Sequence, residues 1–212
     1  MHWNVIDEKR QALLKLLIEA PPLPNCYLAG GPACALLRGH RISEDFDWFC
    51  PEDFDPVELK RRIERIGELS VRRMEPGTFH GNLDGIKLTW LYYPNPLIEP
   101  KIKIAELEGL ELASFVDLGL MKWVAISGRG EMKDFLDLYE LHLAGIEIDE
   151  LYNLLGKKFK PGENYFHMLK SLSYFSDAEK SPPLKLLKKY DWDEIKRFFL
   201  SQQAKLIRKL IG

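Results

Sequence analysis

Tyr27–Phe49 reads YLAGGPACALLRGHRISEDFDWF. An apolar strand runs into a glycine pair, Gly30-Gly31. A short helical pattern follows, and then two aspartates, Asp45 and Asp47, stand one residue apart. Glycine lets the backbone approach an anion closely, and the helix behind it offers free N–H groups and its positive dipole end. Side chains alternate along a strand, so Asp45 and Asp47 share one face with Cα atoms about 6.5–7 Å apart. Phe46 and Trp48 then turn to the core. Two carboxylates so placed suit magnesium, a hard cation that prefers oxygen, and paired ions can clamp the oxygens of a transferring phosphoryl group. Singly each sign is weak: Gly-Gly after a strand is commonly a turn, and Asp-x-Asp is commonly the wet face of an edge strand. Their order carries the reading, which is a site that holds a nucleoside triphosphate against magnesium.

Outward from this run the chain divides into two patterns. Val5–Glu19 has the apolar face of a helix and is stopped by Pro21, Pro22 and Pro24. Cys26–Ala29 and Phe46–Cys50 read as strands, with a helix from Pro32 to about Arg38 between them. Asp55 caps a helix through Ile66, with Pro56 next. Leu69–Met74, Thr78–Leu83 and Ile86–Tyr93 are strands joined at Pro76-Gly77 and Asp84-Gly85. Pro94–Pro100 is a proline-rich loop, and Lys101–Leu112 supplies one or two short strands. From Ser114, which with Asp117 forms a capping pattern, the chain is helical: to about Ile126, then Met132–Leu143, Glu150–Leu155, Glu163–Phe175 and Asp191–Ile211. The expectation is an α+β fold, a small mixed sheet flanked by helices over residues 1–113 and an all-helical part over residues 114–212.

Composition narrows the class. The 212 residues are 46% hydrophobic, enough for one good core or a compact catalytic part with a smaller helical one. No apolar stretch reaches the ~18–20 residues of a membrane span, and Met1–Ala20 is a charged amphipathic pattern, unlike a signal peptide. A cytoplasmic protein without membrane partners is expected. Cys26, Cys34 and Cys50 lie among apolar residues without metal-ligand spacing and read as buried free thiols. The net charge is −2, yet Leu151–Gly212 holds 13 Lys or Arg against 6 Asp or Glu. A basic tail on an acidic body fits a nucleic-acid partner; equally, Lys185, Lys188, Lys189, Lys205, Arg208 and Lys209 have the spacing of a solvated helical face. His40 adjoins the motif and could reach phosphate, whereas His2, His80, His142 and His167 are scattered with no zinc-like spacing.

Gly30-Gly31, thirteen intervening residues and Ser43-Glu44-Asp45-Phe46-Asp47 together resemble the nucleotidyltransferase superfamily of polymerase-beta-like fold. GHRISEDFD (Gly39–Asp47) is similar to its AbiEii group, the toxin side of a bacterial toxin–antitoxin class. Gly85–Pro100, GIKLTWLYYPNPLIEP, resembles that group's strand and proline-rich loop. Leu112–His142, LASFVDLGLMKWVAISGRGEMKDFLDLYELH, resembles its lysine helix and its Lys-Asp-x-x-Asp-Leu-Tyr helix.

The resemblance implies transfer of a nucleotide from an NTP, with Mg2+ held by Asp45 and Asp47. It places Gly30 and Gly31 against the triphosphate. Ser43 would orient the loop before the metal strand or bond a phosphate, and Lys122 would reach the phosphates as a point charge. Asp134 and Asp137, i and i+3 on one helix face, would anchor Lys122 or serve as catalytic base. Lys133 reads as a surface charge. The implied acceptor is RNA, in particular a tRNA end, with an antitoxin protein as the second partner.

Two departures temper the implied activity. Pro32 stands where most relatives carry Ser or Thr, removing a hydroxyl and an N–H from the anion site. On Ile86–Tyr93 the alternate residues Lys87, Thr89 and Leu91 include no carboxylate, and Thr89 takes the place of the third acid. Asp84, in the turn, is too far along the strand to replace it. The alternatives are therefore a nucleotide-binding protein with weakened or lost catalysis, or a nucleotidyltransferase acting on a protein or a small molecule.

Overall fold

The computed structural model describes residues 1–159 and 165–211. A 3-10 turn, Trp3–Val5, precedes α1 (Glu8–Glu19). This helix starts later than its apolar pattern suggests because Asp7 caps it, accepting from the Arg10 N–H at 2.8 Å. Then come β1 (Tyr27–Ala29), α2 (Gly30–Arg38), β2 (Asp45–Cys50) and α3 (Pro56–Ile63). The expected cap at Asp55 is present, accepting from the Val57 N–H at 2.8 Å. The helix α2 begins two residues earlier than expected, at the glycine pair itself.

β3 (Leu69–Glu75), β4 (Thr78–Leu83) and β5 (Ile86–Tyr92) form a meander. Its second turn places Asp84 and Gly85 both at positive φ, as the two-residue hairpin geometry requires. Two short strands follow, β6 (Ile102–Lys103) and β7 (Glu111–Leu112). The seven strands make one mixed sheet in the order β3-β4-β5-β2-β1-β7-β6, so the fold is α+β. β2 sits centrally, parallel to β5 and antiparallel to β1. Along it Phe46, Trp48 and Cys50 are buried and Asp45, Asp47 and Phe49 turn to the other face, as the alternation requires. Trp48 stacks on Trp90 of β5 with centroids 6.3 Å apart.

The helical part comprises α4 (Phe115–Gly128), α5 (Met132–Leu143), α6 (Ile148–Lys158), α7 (Tyr165–Ser171) and α8 (Trp192–Ile211). The start of the expected helix at Glu163 lies outside the described residues; within them it ends at Ser171. The core divides in the same way. One cluster joins the sheet to α1 and α2, and a second joins the helices from Leu120 to Leu206. Ser114 caps α4, its hydroxyl accepting from the Asp117 N–H at 3.0 Å. The buried Asp117 also takes the Ile98 N–H and the Lys158 ammonium, and Lys158 bonds the Pro96 carbonyl. That pair ties the proline-rich loop to both parts.

Two expectations are corrected. Cys26 and Cys50 are joined in a disulfide, with Cα atoms 4.2 Å apart. The antiparallel register pairs Tyr27 with Phe49, so the next residues outward, Cys26 and Cys50, face each other. Cys34 alone is a buried free thiol, and burial pushes its pKa up to about 12. Second, Lys185, Lys188 and Lys189 do not lie on a helix. Residues 182–190 run extended beside residues 40–42, with an Arg41–Leu186 bridge and bonds from the Ile42 N–H to the Lys185 carbonyl and the Leu187 N–H to the His40 carbonyl. Lys205, Arg208 and Lys209 are exposed on α8 as expected. Among the described residues no helix is long and apolar enough to cross a membrane.

Candidate active site

A cleft of about 1110 Å3 opens over the Asp45–Asp47 face of the sheet. Its floor is β2 with Thr89 of β5, and one end is Gly30-Gly31-Pro32. One wall is α4 with Lys122, Gly128 and Arg129, and the far side is the extended segment at Pro182–Lys185. The expected residues Gly30, Gly31, Ser43, Asp45, Asp47 and Lys122 therefore line one space. Ser43 is buried in its wall, its N–H held by the Val5 carbonyl at 2.9 Å.

Each glycine makes room for a charged side chain. Gly30 has φ +64°, and a Cβ there would stand 3.0 Å from Asp47 Oδ2. A Cβ on Gly31 would stand 2.7 Å from Arg41 Nη2. The backbone at the start of α2 is thus pressed against a carboxylate on one side and a guanidinium on the other.

Burial, followed by the charge of Asp45, pushes the Asp47 carboxyl above the usual aspartate range. Asp45 Oδ1 is shielded without a hydrogen-bond partner, with Lys87 Nζ 3.6 Å away. Two carboxylates under mutual repulsion, one with an orphaned oxygen, fit a hard divalent cation. Among the described residues no group of three or more His, Cys, Asp or Glu could hold a metal. That also fits magnesium, which is commonly bound through one or two carboxylates, with substrate phosphates and water completing its shell.

Behind the cleft wall lies a chain of alternating charges. Asp137, fully buried, accepts from Arg41 Nε at 2.7 Å and Nη2 at 2.8 Å, from His40 at 2.7 Å, and pairs with Lys122 Nζ at 2.6 Å. Asp134, equally buried, accepts from Lys122 at 3.1 Å and from Arg129 Nε and Nη2, both at 2.8 Å. The order is Arg41, Asp137, Lys122, Asp134, Arg129. Burial works against the Asp137 charge, but Arg41 and Lys122 outweigh it and hold the carboxyl well below its ordinary value. Asp134 is likewise lowered, desolvation being outweighed by Lys122 and Arg129. Lys122 is held above the ordinary lysine value because Asp137 and Asp134 overcome its burial. Asp134 and Asp137 stand behind the cleft lining and spend their oxygens on these cations, the geometry of anchors for Lys122 and its two arginine neighbours.

Several residues were misjudged or missed from sequence. His40 is fully buried on Asp137 and does not reach the cleft, because Asp137 and the segment at Leu187 enclose it. Lys133 sits on the cleft rim beside Glu131 rather than on a plain surface. Arg41 and Arg129 are the main omissions. Arg41 was visible within GHRISEDFD, and Arg129 between Gly128 and Gly130, but only the long-range pairs to α5 reveal their role. His80 also lines the cleft, beside Thr89.

No protein-family model matches the sequence. The chain is 36% identical over 195 residues to the uncharacterized protein aq_aa25 of Aquifex aeolicus (strain VF5), a match covering 91% of this chain and 92% of that one. The chain belongs to the family of aq_aa25. Among solved structures it superposes on MenT4, a nucleotidyltransferase toxin from Mycobacterium tuberculosis H37Rv. The TM-score is 0.59 and the identity 15%, over 92% of this chain and 82% of that one. The Megavirus polyadenylate synthase matches with a TM-score of 0.47 and 12% identity over 63% of this chain and 31% of its own. The likeness to MenT4 establishes for the aq_aa25 relative described here a fold of nucleotidyltransferase type.

Proposed function

We propose that this protein is a magnesium-dependent nucleotidyltransferase of AbiEii-like kind, moving a nucleoside monophosphate from an NTP to an acceptor. The observation that carries the reading is the facing of two charge sets across one cleft. Asp45 and Asp47 stand on the floor with an unsatisfied oxygen between them. Arg41, Lys122 and Arg129 stand in the wall, each backed by a buried aspartate. A bound Mg2+ would neutralise phosphate charge and polarise the α-phosphoryl group. The chain itself supplies orientation: the cations grip the triphosphate, preorganised so that little is lost in holding them, and the glycine pair lets the backbone approach.

Asp134 and Asp137 act in this reading as positioning residues for the cations. Residues 1–113 carry the carboxylates and residues 114–212 the lysine helix and a basic surface for an acceptor. RNA, in particular a tRNA end, suits that surface, and a toxin–antitoxin setting follows from the same resemblance.

The test is incorporation of labelled NTP into RNA with magnesium present. Transfer is expected in the wild type and absent from folded Asp45→Ala and Asp47→Ala proteins; label retained in both variants would sink the reading. An RNA acceptor also demands that binding weaken steeply with salt, which a small neutral or protein acceptor does not. Thr89 at the third acid's place and Pro32 at the third residue of α2 favour one second reading, a binder of nucleotides with weak turnover. Calorimetry showing NTP and magnesium binding without transfer to any acceptor would select it.

A further inference from the structure

The side chains of Asp47, Thr89 and His80 form a row across three adjacent strands. The register pairs Asp47 of β2 with Thr89 of β5, and Thr89 with His80 of β4. A hydrogen bond from the Thr89 side chain helps lower the Asp47 carboxyl against its burial. Thr89 Oγ1 also lies 3.2 Å from His80 Nδ1. An ionised carboxylate only accepts and a hydroxyl has one proton, so a Thr89 hydroxyl that donates to Asp47 has only lone pairs left for His80. The bond must then run from His80 Nδ1–H to Thr89 Oγ1, and from Thr89 Oγ1–H to Asp47. That polarity sets the tautomer of the neutral ring and leaves the Nε2 lone pair unused. His80 lines both the cleft and a basic groove, formed with Arg72, Arg73 and Lys87, that leads from it past Asp45.

We infer that His80 is the general base of the transfer, taking through Nε2 the proton that the missing third carboxylate would have received or shared. This rests on the proposed nucleotidyl transfer. In the step, the acceptor O–H gives its proton to His80 Nε2 as its oxygen bonds the α-phosphorus. The α–β phosphoanhydride bond breaks, and pyrophosphate leaves with the electron pair. The imidazolium then returns its proton to water. Thr89 is a positioning residue, since it fixes the ring and its tautomer while touching no reacting atom. The charged groups around His80 are Arg73 and Glu75 on β3, Arg72 on the same strand, Lys87 on β5, and Asp45 and Asp47 on β2. Their signs are mixed, so the ring stands in neither a wholly acidic nor a wholly basic field.

The tautomer is testable without turnover. Side-chain 15N NMR of the free wild-type protein should show His80 protonated at Nδ1 when neutral, and Thr89→Val should abolish that preference. A ring protonated at Nε2 in the wild type overturns the inference. In the transfer assay, His80→Ala should lose on the order of 10²-fold or more, the scale of a lost general base, and added imidazole should restore part of it. His80→Gln should lose the limb of the pH–rate profile that falls as pH drops through the histidine range. Asp47→Asn separates the two claims. If it abolishes transfer while His80→Ala keeps the wild-type rate and His80→Gln keeps the profile, the base assignment fails and the nucleotidyltransferase reading stands. If Asp47→Asn leaves transfer intact, the site reading itself fails.

Discussion

Arg41 grips Asp137 with two parallel bonds of 2.7 and 2.8 Å, and the guanidinium lies where a Cβ on Gly31 would be. One side chain thus joins the glycine turn that opens α2 to the helix α5 behind the cleft. The fork geometry suits arginine and no other cation. The same carboxylate also holds His40 and Lys122, so Asp137 is the point on which two cleft walls depend.

Removing that charge should be costly. Asp137→Asn leaves Arg41 and Lys122 buried against a neutral amide, and breaking a buried pair from one side costs about 3–5 kcal/mol. Urea denaturation should show the loss as a lower midpoint with an unchanged slope. A midpoint within error of the wild type would show that these charges do not hold the walls.

Acid should act through the same carboxylates. Asp134 and Asp137 are lowered in the folded protein, so the stability they contribute is fully present above the ordinary aspartate value of about 4. It is lost as pH falls below that value through the lowered folded ones. Thermal midpoints measured from pH 7 to pH 3 should fall most steeply at the acid end. The fall should be shallower in Asp134→Asn, which starts less stable.

Asp47 has the opposite sign. Its folded value is raised, so its ionisation opposes folding as pH rises from the ordinary aspartate value through the raised one. Asp47→Asn should therefore raise the thermal midpoint at neutral pH while removing transfer. Magnesium with an NTP analogue should raise the wild-type midpoint and leave that of Asp47→Asn nearly unmoved.

Gly30 should tolerate alanine less well than Gly31. At Gly30 the new Cβ adds the ~1–2 kcal/mol of a left-handed backbone to a 3.0 Å approach to Asp47 Oδ2. At Gly31 it meets the far end of Arg41, which can shift if it gives up part of its grip on Asp137. Calorimetry should show NTP affinity reduced in both, with stability reduced more in Gly30→Ala.

Reduction should be visible as well. The Cys26–Cys50 bridge closes a loop with a sequence separation of 24, for which chain entropy implies about 3 kcal/mol. Cys50→Ser should lower the midpoint by that order. Under non-reducing conditions, alkylation of the unfolded wild type should modify Cys34 alone.

Local signals carried much of this fold. Asp55 and Ser114 announced their helices because a capping oxygen acts within three residues, and Asp84-Gly85 announced its hairpin because only such a pair sits easily at positive φ. The alternation of Asp45, Phe46, Asp47 and Trp48 showed which face would be wet. What stayed hidden depends on distant partners. Cys26 and Cys50 read as separate thiols until the β1–β2 register set them opposite. Arg41 and Arg129 read as ordinary surface charges until α5 brought Asp137 and Asp134 behind them. The lysines of residues 185–189 had helical spacing, but Pro182-Pro183 and the pairing with residues 40–42 prevailed. There Glu140, almost fully buried, takes Arg38, Lys188 and Tyr190 together.

That pairing gives the order of synthesis a meaning. Lys185 bonds Glu44 across a separation of 141 residues, and Pro182–Lys185 form one side of the cleft. The glycine pair and both aspartates leave the ribosome early, and the segment that walls them in is made near the end. A ribosome that stops before Pro182 releases a chain with both carboxylates and an open-sided cleft.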